Sequence, residues 1–278
     1  MLVLGSSGML GHVVVNYFEE KNYNVYNLSR RIKVNEKTKL MDVTNFYEFD
    51  NYLKELNLDV IINCIGILNQ AAEQNPDKAI LLNSYLPRFL EKKYSDAKTK
   101  IIQISTDCVF SGKTGNYRED SFKDGETIYA RTKALGEIDN EKDLTIRTSI
   151  IGPDINENGI GLFHWFMKQK NSIYGYKNAF WTGVTTIELA KGIEALVQNN
   201  VTGLYHFVPN TKISKFDLLN ILNEVFDKKI TILPQEDYVV DKSLINTRKD
   251  FSYNVPDYKE MIEEMKKWID KHADLYKY

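Results

Sequence analysis

A short apolar run, Leu2-Val3-Leu4, breaks into Gly5-Ser6-Ser7-Gly8-Met9-Leu10-Gly11, and the residues from Met9 to Glu20 then carry the apolar spacing of a helix. A G-x-x-G-x-x-G loop caught between a strand and a helix is compatible with few folds. One glycine makes the tight turn, one lets the backbone approach a pyrophosphate, and one lets the helix pack on the strand. The helix N-terminus adds free N–H groups and the positive end of its dipole. In this strand–turn–helix setting the loop predicts dinucleotide binding, with a purely structural turn as the alternative.

The first half of the chain repeats the alternation. Further strands are predicted at Asn24 to Leu28, Lys39 to Met41, Val60 to Ile65, Lys100 to Ile104 and Leu144 to Thr148. Helices are predicted at Asn45 to Leu56, at Ala79 to Glu91 behind the Asn75-Pro76-Asp77 start signal, and at Thr127 to Ile138. Strands alternating with helices imply an α/β, Rossmann-type doubly wound parallel sheet. Beyond about residue 150 the rhythm loosens through the Gly/Asn-rich stretch 154–161, and a late amphipathic helix places Tyr258, Ile262, Met265 and Ile269 on one face. We therefore expect a dinucleotide-binding domain over residues 1–150 and a smaller C-terminal α/β substrate-binding cap over residues 151–278, whose segments need not be contiguous.

Composition narrows the partners. With 36 Lys and Arg against 38 Asp and Glu the net charge is −2, which excludes the basic surplus of a nucleic-acid binder. A chain of 278 residues can bury about three quarters of its unfolded surface, so a core needs no disulfide or structural metal. Cys64 and Cys108 form no C-x-x-C pair, and His12, His164, His206 and His272 lack ligand spacing, so no metal is expected. No apolar run reaches the roughly 18 residues of a membrane helix, and the first residues turn into glycines rather than a signal-peptide core. A cytoplasmic protein without a membrane partner is the expectation.

The second strand ends Leu28-Ser29-Arg30-Arg31, where an NAD-selective chain places a carboxylate for the ribose 2′-OH. Two guanidiniums and a hydroxyl instead suit a 2′-phosphate, so Arg30 and Arg31 predict NADP(H) in preference to NAD(H); a solvated basic loop is the plainer reading. Asp42-Val43 and Cys64-Ile65-Gly66 follow later strands and so face the expected cofactor crevice, Gly66 offering bare backbone.

Tyr129 and Lys133 stand at i and i+4 on one helix face, downstream of Ser105-Thr106-Asp107 at a strand end. An ammonium near a phenol favours the phenolate and lowers its pKa, making the tyrosine useful for acid–base work, and the Thr106 hydroxyl can hydrogen-bond the same substrate oxygen. Taken alone, Y-x-x-x-K is usually a solvated helix face.

Together with the glycine loop, these residues resemble the extended short-chain dehydrogenase/reductase family. The run Ile104-Ser105-Thr106-Asp107-Cys108-Val109-Phe110-Ser111-Gly112, then Tyr129-x-x-x-Lys133, Gly136-Glu137 and Ile146-Arg147-Thr148, is similar to its branch of dTDP-4-dehydrorhamnose reductases. The likeness continues more loosely through Trp181-Thr182-Gly183-Val184-Thr185-Thr186. It implies NADPH-dependent reduction of the 4-keto group of a nucleotide-linked 6-deoxysugar, carried on dTDP or UDP, for surface-polysaccharide precursors. By the same resemblance Thr106 is the hydroxyl partner, Tyr129 the proton donor, and Lys133 the ribose anchor and phenol activator. Gly5, Ser7, Gly8, Met9, Leu10 and Gly11 would run along the pyrophosphate, with Asn83 as a further cofactor contact. The branch commonly has tyrosine where Cys108 stands, which leaves the identity of the sugar open; Cys108 itself reads as a small packed residue.

Trp181, with Lys168 and Lys177 as diphosphate partners, is a candidate substrate site, although core packing is the safer reading for aromatics in a chain with 17 Tyr and 13 Phe. The Lys/Glu-rich terminal helix is most simply a solvated face; a homodimer contact is the other reading. Two alternative functions share the fold: a sugar-nucleotide epimerase or dehydratase that regenerates its cofactor, and a non-catalytic cofactor-binding regulatory subunit.

Overall fold

The computed structural model describes residues 1–278, which divide into two compact units. The first contains Met1–Val109, Lys123–Arg147 and Val201–Tyr205; the second contains Phe110–Phe122, Thr148–Asn200 and His206–Tyr278. Neither unit is one continuous stretch of chain.

The first unit is built on a seven-stranded parallel sheet. Its strands are β1 (Leu2–Leu4), β2 (Tyr26–Ser29), β3 (Thr38–Leu40), β4 (Val60–Asn63), β5 (Lys100–Ile104), β6 (Leu144–Arg147) and, beyond β6, the segment Gly203–His206. From the Gly203–His206 edge the order runs β6, β5, β4, β1, β2, β3, with Leu2 opposite both Tyr26 and Ile61. The chain thus starts in the middle, winds to one edge and returns to build the other. The order reverses between β1 and β4, the kind of switch point at which open α/β sheets take their ligands. β4 and β5 are buried at every position, as strands covered on both faces must be.

Helices Gly11–Glu20, Phe46–Lys54 and Leu86–Lys93 turn apolar faces to this sheet, and Leu4, Leu28, Phe49, Leu53, Ile61, Leu86 and Leu90 share one core. Asn22, at φ 62°, takes the left-handed position that stops the first helix, and β2 begins at Tyr26 rather than at Asn24 as expected. The segment expected as one helix from Ala79 to Glu91 is broken: Asn69–Gln74 and Pro76–Ala79 are short helices, Ile80–Tyr85 is a wider turn with i→i+5 bonding, and Leu86–Lys93 resumes the α-helix. Pro87 supplies the reason, since it has no N–H to give the carbonyl of Asn83 four residues earlier.

In the second unit, helices Leu162–Met167, Thr186–Gln198, Lys215–Val225 and Tyr258–Lys271 accompany three small sheets. Ala179–Trp181 lies between Ile213–Ser214 and Val240–Asp241; Ile173–Tyr176 pairs with Ile232–Gln235, and Ile150–Ile151 with Val184–Thr185. The Asp257–Glu260 capping box starts the last helix, and Tyr258, Ile262, Met265 and Ile269 are buried along it. No helix is long and apolar enough to cross a membrane.

Candidate active site

The glycine loop leaves β1 at the switch point and is shaped by its own backbone. Gly5 takes φ +79°, the left-handed region where a side chain is strained, and its carbonyl accepts the Gly8 N–H at 3.0 Å. A Cβ on Gly11 would overlap the Gly5 carbonyl oxygen and sit 2.8 Å from Gly5 C and 2.9 Å from Ser6 Cα, so helix and strand meet backbone to backbone. His12 is buried, its Nδ1–H donating to the Gly8 carbonyl at 2.8 Å, which fits the plain reading of a capping-region residue. The helix that follows has no side-chain N-cap and no acidic residue in its first turn, so no side chain competes with an anion at the positive end of its dipole. Ser7, Gly8 and Met9 are half-buried and Leu10 is buried. These features fit a dinucleotide pyrophosphate.

Across the switch point, a Cβ on Gly5 would lie 3.0 Å from Ile65 Cγ1, so the loops after β1 and β4 are neighbours. A Cβ on Gly66 would come within 3.4 Å of Asn83 Oδ1 and 4.0 Å of Lys133 Nζ. Asn83 is fully engaged with protein: Oδ1 accepts the Ile67 N–H at 2.9 Å, while Nδ2 donates to the Ile67 carbonyl at 3.0 Å and to Thr132 Oγ1 at 3.1 Å. Both amide protons are spent, so the side chain holds the Gly66-Ile67 loop against the Tyr129/Lys133 helix, and a direct cofactor contact is not what this geometry provides. Burial pushes the Cys64 thiol up to about 12, with the Lys133 charge opposing, so it stays a neutral thiol.

Helix Ile128–Leu135 is N-capped by Thr127, whose side chain accepts the Ala130 N–H. It brings Tyr129 and Lys133 beside the tip of β5, and Tyr129, Lys133 and Thr106 are each buried to within 7 % of full enclosure. The Thr106 hydroxyl hydrogen-bonds the Tyr129 phenol, accepts the Cys108 N–H at 3.1 Å and lies 3.1 Å from Asp107 Oδ1. Lys133 Nζ donates to the Ile104 carbonyl at 2.6 Å. The lowered phenol pKa anticipated from the lysine is not found. Burial first, then Cys108 and Asp107, raise Tyr129 well above the ordinary phenol range against the Thr106 hydrogen bond. Burial lowers Lys133 to about 8, opposed chiefly by the charge of Glu137.

Two residues quoted only as parts of motifs prove central to the local architecture. Glu137 is bound bidentately by Arg147, at 2.6 and 2.8 Å, and both side chains are 2 % exposed. Burial raises Glu137, but the Arg147 hydrogen bonds and charge, helped by Lys123 and Ser105, hold it below the ordinary carboxylate range. The readable signal was an arginine at the end of an uncharged strand, Leu144-Thr145-Ile146, which cannot be buried without a partner.

Arg30 and Arg31 are exposed just past β2. Asp42, also exposed, binds the Thr44 N–H and hydroxyl, and its carboxyl lies below the ordinary range; burial opposes that lowering, and Thr44 and the charges of Arg30 and Arg31 produce it. Val43 is buried in the core, so only its backbone is available to a ligand.

In the second unit, Trp181 is 4 % exposed, lies 6.0 Å from the Tyr258 ring and carries Lys215 Nζ at 4.4 Å over its face. That is a packed tryptophan rather than an open stacking platform. Lys168 Nζ donates to the Glu157 carbonyl at 2.6 Å and Lys177 Nζ to Glu236 at 3.0 Å, so the structure gives each of the three its own surroundings.

Comparison with known proteins places this geometry in context. The sequence pattern of the RmlD substrate binding domain matches residues 1–242. dTDP-4-dehydrorhamnose reductase of Streptomyces griseus is 31% identical over 138 residues, 49% of this chain and 43% of that protein. Methionine adenosyltransferase 2 subunit beta of Xenopus tropicalis is 22% identical over 240 residues, 81% of this chain and 72% of that protein. Among solved structures, dTDP-4-dehydrorhamnose reductase from Bacillus anthracis, in complex with NADP, superimposes with a TM-score of 0.82 at 21% identity, covering 96% of this chain and 98% of that one. At that identity the superposition shows the fold, with its parallel sheet and smaller C-terminal sheets.

Proposed function

The chain belongs to the RmlD substrate-binding-domain family, and from that premise we propose that it is an NADPH-dependent reductase of the 4-keto group of a nucleotide-activated 6-deoxysugar, dTDP- or UDP-linked. Such a step serves surface-polysaccharide precursor synthesis. The observation that carries the reading is the Thr106–Tyr129–Lys133 set, assembled at the carboxyl end of β5 with Lys133 beside the bare backbone of Gly66.

Bound NADPH would supply the hydride to the carbonyl carbon. The protein's share is position and proton supply. Gly5, Gly8 and Gly11 would open the backbone for the pyrophosphate, and Arg30 and Arg31 would meet a 2′-phosphate. Tyr129, kept protonated by burial, holds the proton that the carbonyl oxygen requires, and Thr106 orients that oxygen. Lys133 places an ammonium beside the developing charge, in a site with little water.

The Xenopus likeness extends over more of this chain than the Streptomyces one and favours a second reading, a cofactor-holding subunit without turnover. The near-ultraviolet absorbance of NADPH separates them when the protein is incubated with a panel of 4-keto sugar nucleotides. Stoichiometric loss with one of them supports the reductase. Sugar conversion without net NADPH loss indicates an epimerase, and NADPH binding without conversion indicates the subunit. A Tyr129→Phe protein as active as the wild type would overturn the catalytic assignment.

A further inference from the structure

Tyr129, Lys133 and Glu137 stand at i, i+4 and i+8, and each is bonded to a different one of three consecutive residues at the tip of β5. Tyr129 meets the Thr106 hydroxyl, Lys133 meets the Ile104 carbonyl, and Glu137 accepts from the Ser105 hydroxyl at 2.7 Å. The first two contacts belong to the reacting groups; the third does not touch them. The carboxylate that makes it is filled by donors from separate elements: Ser105 from β5, Arg147 from the end of β6, and Lys123, at 3.0 Å, from the loop ahead of the helix. A single buried carboxylate therefore ties the helix that carries the candidate acid and lysine to the two strands beneath it.

We propose that Glu137 is the positioning residue of this site, the third rung that fixes the register of the Tyr129/Lys133 helix on the β5 tip and places counter-charge beside the Lys133 ammonium. Its catalytic consequence rests on the reductase reading; its electrostatic effect on Lys133 does not.

The charge arrangement around Lys133 makes the effect directional. From its own helix it is faced by Tyr129, a neutral phenol, and by Glu137 just past the helix end. From the loop after β4 it is faced by Cys64, a neutral thiol, and from β5 by a carbonyl. Asp107 lies toward Tyr129, while Arg147 and Lys123 sit on the carboxylate of Glu137. Glu137 is thus the anionic group acting on the lysine; without its charge, burial of Lys133 goes less opposed and the buried Arg147 guanidinium loses its counter-ion.

The test uses the full chain with 13Cε-labelled lysines, the Lys133 signal being assigned by its loss in Lys133→Arg. In Glu137→Gln the Lys133 titration midpoint should fall by about one pH unit or more. In the same variant, loss of NADPH oxidation should deepen from pH 6 to pH 9, reaching roughly tenfold at the upper end. A folded Glu137→Gln protein whose Lys133 midpoint matches the wild type would overturn the proposal, whatever its melting temperature. Should that single variant fail to fold, Glu137→Gln with Arg147→Met removes both buried charges. It should show a smaller shift in the same direction, and an unchanged midpoint there overturns the proposal equally. A wild-type protein with no reductase activity would defeat the reductase reading while leaving the titration result to decide the role of Glu137.

Discussion

Alanine at Gly11 and alanine at Gly8 should fail in different ways, because the two glycines do different work. At position 11 the new Cβ overlaps the Gly5 carbonyl oxygen and lies 2.8 and 2.9 Å from Gly5 C and Ser6 Cα, all backbone atoms that no rotamer change can move aside. Helix Gly11–Glu20 must shift away from β1, an overpacking cost of about 1–3 kcal/mol. Alanine returns about 0.5–1 kcal/mol through helix propensity; an overlap this deep with backbone belongs in the upper half of the overpacking range, so a net loss of about 1–2 kcal/mol remains. In a unit of this size that lowers the melting temperature by roughly 2–8 °C. At position 8 the Gly5 carbonyl oxygen, at 3.3 Å, is the one close atom and the backbone is not left-handed, so alanine asks only that this carbonyl give by a few tenths of an ångström. Its methyl instead occupies the approach that a pyrophosphate would use. Gly8→Ala should therefore melt within about 1 °C of the wild type yet bind NADPH about tenfold more weakly, equivalent to about 1.4 kcal/mol. Differential scanning fluorimetry and NADPH fluorescence titration read the two quantities on both proteins. Undiminished NADPH affinity in Gly8→Ala would refute the phosphate cradle, and an unshifted melting temperature in Gly11→Ala would refute the packing argument.

Three further outcomes are expected. Arg30→Ala combined with Arg31→Ala should raise the KM for NADPH far more than that for NADH; equal effects on the two cofactors would sink the 2′-phosphate assignment. Lys133, lowered by burial from 10.5 to about 8, loses its proton in the folded state while the unfolded chain still holds it, so its contribution to stability rises between those pH values by about 3 kcal/mol at most. Urea unfolding of wild type and Lys133→Met at pH 8 and pH 10.5 should show this rise in the wild type alone, and parallel pH dependence in the two would contradict it. Asp257→Ala removes the side-chain half of the capping box at the Tyr258–Lys271 helix, the bond accepted from the Glu260 N–H, and should cost about 1 kcal/mol, read as a lower urea midpoint; an unmoved midpoint would mean the cap is redundant.

The parallel sheet was legible because its central strands are buried on both faces and appear in the sequence as apolar runs, Leu2-Val3-Leu4 and Val60-Ile61-Ile62. Gly203–His206 was not, since its strand character comes from the β6 edge, far away in sequence. The wide turn at Ile80–Tyr85 had a visible cause in Pro87, the ninth residue of the helix expected over Ala79 to Glu91, which has no N–H for the Asn83 carbonyl. Gly136 closes over that carbonyl: its Cβ would overlap the Asn83 oxygen and lie 2.9 Å from Pro87 Cγ, packing one helix end onto another. Thr106, Tyr129 and Lys133 could be picked out because strand ends and i,i+4 spacing are local features. The Glu137–Arg147 pair needed the fold, since only the β5–β6 pairing, with Ile104 opposite Ile146, brings the residue after the helix to the arginine.

The acid–base reasoning changes most when burial is weighed against charge. On sequence spacing, the lysine dominates and pulls the phenol toward its ionised form. In the structure the same burial acts on both groups and disfavours whichever form is charged, so Tyr129 moves up and Lys133 moves down. The result is a phenol that carries its proton at neutral pH. That is the form needed to protonate a carbonyl oxygen, whereas alcohol oxidation needs the phenolate to accept a proton. The raised phenol is therefore in the form that the proposed reductive step uses. It also explains why counter-charge beside Lys133 matters: a lysine that burial brings to about 8 is close to discharging, and one carboxylate more or less decides its state across the range in which the enzyme would work.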